Sequence, residues 1–175
     1  MKISLLFTWF LLIMFGCQTN QKNYVFCNET YISSSKTNGT YSTCLDPDLE
    51  RFLVASYGQP DSIKRFSNSD STMRLYYSKS YFQLSGLPTL ERLYVINDSF
   101  FSVQFNPRLS VQIGDSPKRI VKYFPGSAKK KKNYLVNDSL IVYYAYLKDN
   151  VPITTNSYLT FEIKDNKIIR IKFYL

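Results

Sequence analysis

The chain contains no histidine, which removes the commonest general base near neutral pH and the commonest metal ligand. Serines are plentiful, yet no Gly-x-Ser-x-Gly elbow frames one and no base stands ready to activate it. Cysteine is scarce, with three in 175 residues, and a thiol nucleophile would lack an imidazole partner. The only dense acidic group is Asp46, Asp48 and Glu50. Helix capping explains it more simply than the paired carboxylates of a glycosidase. The requirements of a catalytic site are therefore unmet, and the chain reads as non-enzymatic, with no cofactor and no metal; an envelope hydrolase is the competing class. Long hydrophobic runs are missing as well. The longest apolar stretch, from Ile3 to Phe15, falls short of the roughly 20 residues that a membrane-crossing helix needs.

What is present at the N-terminus has the order of an export signal: one charge at Lys2, the short apolar run, then the small residue Gly16 before Cys17. Met14-Phe15-Gly16-Cys17 resembles the lipobox of bacterial lipoproteins. That resemblance implies removal of residues 1–16 and attachment of diacylglycerol to Cys17, with residues 17–23 as a tether. Gln18 stands where an aspartate is associated with retention in the inner membrane, so the same resemblance favours the outer membrane. The expected setting is the cell envelope, with the protein held to a membrane by its lipid.

Lysine and arginine outnumber aspartate and glutamate by 22 to 13, for a net charge of +9. Such an excess suggests an anionic partner. An exported chain rarely meets nucleic acid, so lipid head groups, envelope polymers and acidic protein surfaces come first. The densest positive feature is the run Lys129, Lys130, Lys131 and Lys132. It reads either as an anionic-ligand loop, where each lysine near a charged bilayer contributes about 1 kcal/mol, or as a solvated loop.

Once Cys17 carries lipid, Cys27 and Cys44 remain, in a compartment that permits a disulfide. Asn38-Gly39 has the signature of a two-residue hairpin turn. Its register would set Cys44 opposite Ser33, with Cys27 six residues further along, which argues against a direct cross-strand bridge. The pairing stays open at this level.

Residues 45–105 and 112–173 read as one pattern written twice. Asp48 falls on Asp115, Val54 on Val121, Tyr76-Tyr77 on Tyr143-Tyr144, Val95 on Ile163, Asn97-Asp98 on Asp165-Asn166, and Phe105 on Phe173. Each copy opens with a short helix, the first starting at Asp46-Pro47 and stopped by Gly58, the second started by Ser116-Pro117 and ended by Pro125-Gly126. Alternation then predicts strands at Met73–Lys79, Glu91–Ile96 and Phe100–Phe105, and at Leu140–Leu147, Tyr158–Lys164 and Ile168–Tyr174. Asn97-Asp98 and Asp165-Asn166 suit the positive φ of type I′ turns between the second and third strand of each copy. The expected fold is α+β: an N-terminal hairpin segment over 24–44, then two units, 45–110 and 111–175, each a short helix plus a three-stranded antiparallel meander, sharing one continuous sheet.

This element order, carried by Leu49–Pro60 with Met73–Phe105 and by Asp115–Gly126 with Leu140–Phe173, resembles the SmpA/OmlA outer-membrane assembly lipoproteins. In tandem it is similar to the β-lactamase inhibitor protein. The resemblance implies a binding, assembly or inhibitor-like role and carries over no binding residues. Alternation assigns Leu75, Tyr77, Leu93, Val95, Phe101, Ile169 and their neighbours to the inner face. It sends Arg74, Tyr76, Arg92, Tyr94, Ser102, Gln104, Tyr143 and Arg170 to the opposite face. Tyrosine and arginine recur in protein interfaces, so Arg74, Tyr76, Arg92, Tyr94, Tyr143 and Arg170 are the candidate contacts for an envelope protein partner.

Overall fold

The computed structural model describes residues 24–43, 49–66, 72–84, 93–105, 109–126 and 139–175. Cys17, Cys44, the Asp46-Pro47-Asp48 helix start, Arg92 and the lysine run 129–132 lie outside these residues. No helix among the described residues is long and apolar enough to cross a membrane.

In chain order the elements are β1 (Tyr24–Phe26), β2 (Thr30–Ser34), β3 (Thr40–Ser42), α1 (Leu49–Tyr57), β4 (Ser62–Arg65), β5 (Met73–Tyr77) and β6 (Ser80–Leu84). There follow β7 (Leu93–Ile96), β8 (Phe101–Phe105), β9 (Leu109–Gln112), α2 (Lys118–Tyr123), β10 (Ser139–Lys148), β11 (Val151–Lys164) and β12 (Lys167–Tyr174). They build an eight-stranded sheet in the order β1-β10-β11-β12-β7-β6-β5-β4 and a four-stranded sheet in the order β3-β2-β8-β9. The large sheet is antiparallel except where β1 runs parallel to β10.

This mostly β architecture overturns the expected pair of helix-plus-meander units. The decisive point is Asn97-Asp98. Both repeats carry acidic turn residues there, but only Asp165 and Asn166 adopt the positive φ of a tight hairpin turn (51° and 56°), joining β11 to β12. Between β7 and β8 the chain instead crosses from one sheet to the other: β7 pairs with β6 and β12, and β8 with β2 and β9. Asp98 is occupied elsewhere. Its carboxylate accepts hydrogen bonds from the Lys79 N–H and the Ser80 hydroxyl, both at 2.8 Å, and so braces the β5–β6 turn. β4, β6 and β9 have no counterpart in the expected meanders, and the N-terminal segment is woven into both sheets.

The two sheets pack face to face. On the inner face of the large sheet one register row runs Leu75, Phe82, Tyr94, Phe173, Leu159, Val142, each at most 1% exposed. Rings join the layers: Phe82 lies 5.8 Å from Phe101 and Phe105 lies 6.1 Å from Phe161, centroid to centroid. Burying each such side chain contributes about 1.5–3 kcal/mol, and each well-set aromatic pair roughly 0.5–1.5 kcal/mol more. α1 plugs one open side through Leu53 and Tyr57, four residues apart and hence on one helical face. The Tyr57 hydroxyl donates to the Ile32 carbonyl at 2.7 Å, and its ring stacks on Phe82 at 5.5 Å, so one side chain ties the helix to both sheets. Gly58 ends α1 at φ +81°, with its N–H bonded to the Val54 carbonyl, as a left-handed helix stop should. α2 closes the other side with Ile120, followed by Phe124 against Phe105.

Three further expectations change. The β2–β3 register sets Thr40, not Cys44, opposite Ser33, because the loop spends Ser35–Gly39 and only Asn38 has positive φ. Gly39 serves another purpose: a Cβ there would sit 1.6 Å from the Ser56 carbonyl oxygen of α1. In β12 a bulge opposite Glu162 and Ile163 places Ile168 in the core and leaves Ile169 43% exposed, reversing the expected phase at that point. In β7 the phase is also reversed: Tyr94 and Ile96 point inward, and Leu93 falls on the outer register row with Tyr174 and Gln83.

Candidate functional site

The outer face of the eight-stranded sheet concentrates the aromatic and cationic side chains. Following strand pairing across all eight strands, one row reads Lys64, Arg74, Gln83, Leu93, Tyr174, Tyr158, Tyr143, Tyr24. Side chains on one row project from the same face, so four tyrosines from four strands stand shoulder to shoulder. Tyr158 stacks on Tyr174 with centroids 4.6 Å apart and planes 23° from parallel, and Tyr143 lies 6.1 Å from Tyr158. All four are half-buried. Alternation along β10 carries the face on through Ala145 to Leu147, which is 59% exposed on the projecting β10–β11 hairpin.

At the other end of the row lies a second aromatic group. Tyr76 and Tyr81 are 5.6 Å apart, and the Arg74 guanidinium sits between Tyr81 at 5.0 Å and Phe66 at 4.8 Å. Its Nε donates to the Gln83 amide oxygen at 2.8 Å, which fixes the guanidinium plane and leaves the rest of the fork for a partner. Between the two groups Glu162 takes an ion pair from Arg170 at 3.2 Å and another from Lys172, while Arg170 Nε donates to Asn97 Oδ1 at 2.8 Å. Arg170 thus ties β12 to β11 and to the end of β7, a bracing contact.

Of the residues expected to contact a partner, Arg74, Tyr76, Tyr143 and Arg170 share this outer face. Tyr94 does not: it is 1% exposed, wedged between Phe82 and Phe173 at 5.2 and 6.0 Å, and is removed from the candidate set. Ser102 and Gln104 belong to the outer face of the other sheet. Tyr158 and Tyr174 were not singled out, although they share parity with Glu162 and Arg170 and the alternation held that signal. No local pattern places Tyr24 or Tyr81 on this face, because one depends on the parallel pairing of β1 with β10 and the other on the pairing of β6 between β5 and β7.

The tyrosines of the interior behave differently. Burial raises the Tyr57 hydroxyl well above the usual tyrosine value, with the neighbouring Tyr41, Tyr94 and Tyr77 adding to the shift. Burial also raises Tyr144, against the opposing effect of the hydrogen bond between its hydroxyl and that of Thr43. Tyr77 is pushed up to about 12, first by burial and then by the charges of Asp61 and Glu50. These hydroxyls are structural donors, Tyr77 to the Gly58 carbonyl at 3.1 Å. Among the described residues no three side chains of Cys, Asp or Glu gather as metal ligands would.

Comparison with known protein families, curated proteins and solved structures finds no match for this chain. The site is therefore read from its own geometry.

Proposed function

We propose that this protein is a non-enzymatic envelope lipoprotein, anchored through Cys17, that binds another envelope protein on the outer face of its eight-stranded sheet. The observation that carries the reading is the continuous row from Tyr24 through Tyr143, Tyr158 and Tyr174 to Arg74 and Lys64. Large rings with two rotatable angles offer contact area at low entropic cost, and a pre-oriented guanidinium adds forked hydrogen bonds. A rigid sheet holds both in place before the partner arrives, which reduces the ordering cost of association. The role is that of an assembly, scaffold or inhibitor-like module.

The test is affinity capture of the full-length, lipidated protein from its own membranes, with the recovered partner then titrated against variants. Tyr158→Ala and Tyr174→Ala should each cost about 2 kcal/mol or more of binding if they are anchors. Binding that survives both changes but disappears when Lys129–Lys132 are neutralised, with steep salt dependence, would instead favour an anionic lipid or polysaccharide ligand on that loop.

A further inference from the structure

The four-stranded sheet turns a face of opposite chemistry to solvent. Its register rows read Thr40, Ser33, Ser102, Gln112 and, beside them, Ser42, Tyr31, Gln104, Ser110. Every one of these side chains is uncharged, in a chain with 35 lysines, arginines, aspartates and glutamates taken together. A solvated face ordinarily carries charge at roughly a quarter to a third of its positions. Over this face lies a groove of about 290 Å³, near the lower end of the roughly 300–1,000 Å³ of small-molecule sites. Thr40, Ser33, Ser102, Gln112, Gln104 and Phe100 line it, and among the described residues no charged one does.

Hydroxyl and amide groups combine donor and acceptor in one short side chain. Ser33 and Thr40 bond each other at 3.0 Å, whereas the side chains of Ser102, Gln104 and Gln112 make no hydrogen bond among the described residues and are left to a ligand. The described lining carries no full charge to pair with a phosphate, a carboxylate or a cation. Serine and threonine are also under-represented among protein hot spots, unlike the side chains of the opposite face. Phe100, half-buried at one end, adds an apolar wall, with the Lys36 ammonium 4.1 Å from its centroid at the rim. A ligand rich in paired hydroxyls, with C–H patches and no charge, matches this set.

We infer that the groove on the outer face of the four-stranded sheet is a binding site for a neutral glycan chain. Gln104 and Gln112 each clasp ligand hydroxyls through an amide donor and acceptor, Ser102 sits between them, and the part of the Phe100 ring not covered by Lys36 and Phe101 meets a sugar C–H patch. The site lies on the second sheet and is independent of the tyrosine row.

The experiment titrates the full chain with cellohexaose and with chitohexaose, both neutral, and with an alginate hexamer as the charged comparator. Binding is followed by calorimetry and by NMR of the glutamine side-chain amides. At least one neutral hexamer should bind saturably with a dissociation constant of about millimolar or tighter, shift the Gln104 and Gln112 amides, and bind equally at low and high salt. Gln104→Ala/Gln112→Ala should weaken it by about tenfold or more, a loss of about 1.4 kcal/mol, while Lys36→Met leaves affinity and salt response unchanged. Ser102→Arg, which fills the groove, should abolish binding in a protein whose melting temperature is unaltered. Failure of both neutral hexamers, preference for alginate, or full affinity in the double glutamine variant would each overturn the assignment.

Discussion

The two sheets of this protein share one core but present unlike surfaces to solvent. The eight-stranded sheet shows tyrosines, Arg74, Lys64, Lys172 and the Glu162–Arg170 pair, whereas the four-stranded sheet shows only hydroxyls, amides and the phenol of Tyr31. Strand alternation turns mostly apolar side chains to both inner faces, with Thr30 and Ser34 among the polar exceptions, so each outer face is where the sequence retains freedom. The contrast separates packing residues from recognition residues more sharply than composition does. Tyr94 and Tyr158 are the same residue type in neighbouring regions of one sheet, and register alone makes one core and the other surface.

The largest test of that distinction is to cut the chain between residues 110 and 111. The second piece would keep β10–β12 but lose β7, the partner of β12, and all of the four-stranded sheet except the second half of β9, including the Phe105 ring that packs on Phe161. It should show no cooperative unfolding transition, measured by circular dichroism against urea. A cooperative transition would show that β10–β12 and α2 hold together without the core that the two sheets share.

Next in size is the contrast between two tyrosines. Tyr94→Ala removes a ring buried between Phe82 and Phe173 and should destabilise by about 3–5 kcal/mol. Tyr143→Ala, half-exposed, should cost far less, about 1 kcal/mol. Equal losses in urea titrations would erase the difference in environment on which the comparison rests.

Alkaline titration probes the buried tyrosines of the inner face. In the folded state Tyr77 ionises only at about 12, whereas an unfolded chain loses that proton near 10. Unfolding above pH 10 therefore releases this proton, so the contribution of Tyr77 to stability is level below pH 10 and falls as pH rises from 10 through about 12. Tyr57 and Tyr144, also raised, steepen the fall. Urea midpoints across that range check it, and Tyr77→Phe should flatten the slope. A smaller effect is expected at the Glu162 network, where Glu162→Gln should cost about 1 kcal/mol or less. The smallest belongs to the neutral face, where Gln104→Ala should change stability by less than about 0.5 kcal/mol.

Much of the local structure was legible from the residues. All six expected strand segments overlap strands, the first helix stops at Gly58 and the second begins just after Ser116-Pro117 as their signals direct, and Asp165-Asn166 makes its tight turn. The tyrosine pairs Tyr76-Tyr77 and Tyr143-Tyr144 each send the first ring outward and the second inward, as period two requires. Non-local pairing was not legible. Asn97-Asp98 carries the same turn chemistry as Asp165-Asn166, and nothing local reveals that its strands enter different sheets. Leu93-Tyr94-Val95-Ile96 is apolar enough to fit either phase, and only its pairing with Phe82 and Phe173 decides. Val151–Ser157, rich in Pro, Thr, Asn and Ser, hides a strand extension that is broken by the register shift opposite Tyr144. Sequence alternation thus brought Arg74, Tyr76, Tyr143 and Arg170 to one face and missed the tyrosines that complete it.

The central claim is that recognition of a protein partner belongs to the tyrosine row and not to the neutral face. It is tested most directly by placing a photo-crosslinking amino acid at position 158 in one culture and at 110 in another, then irradiating intact cells. The account predicts a discrete protein adduct from position 158 and none from 110. Protein adducts from 110 with none from 158 would contradict it.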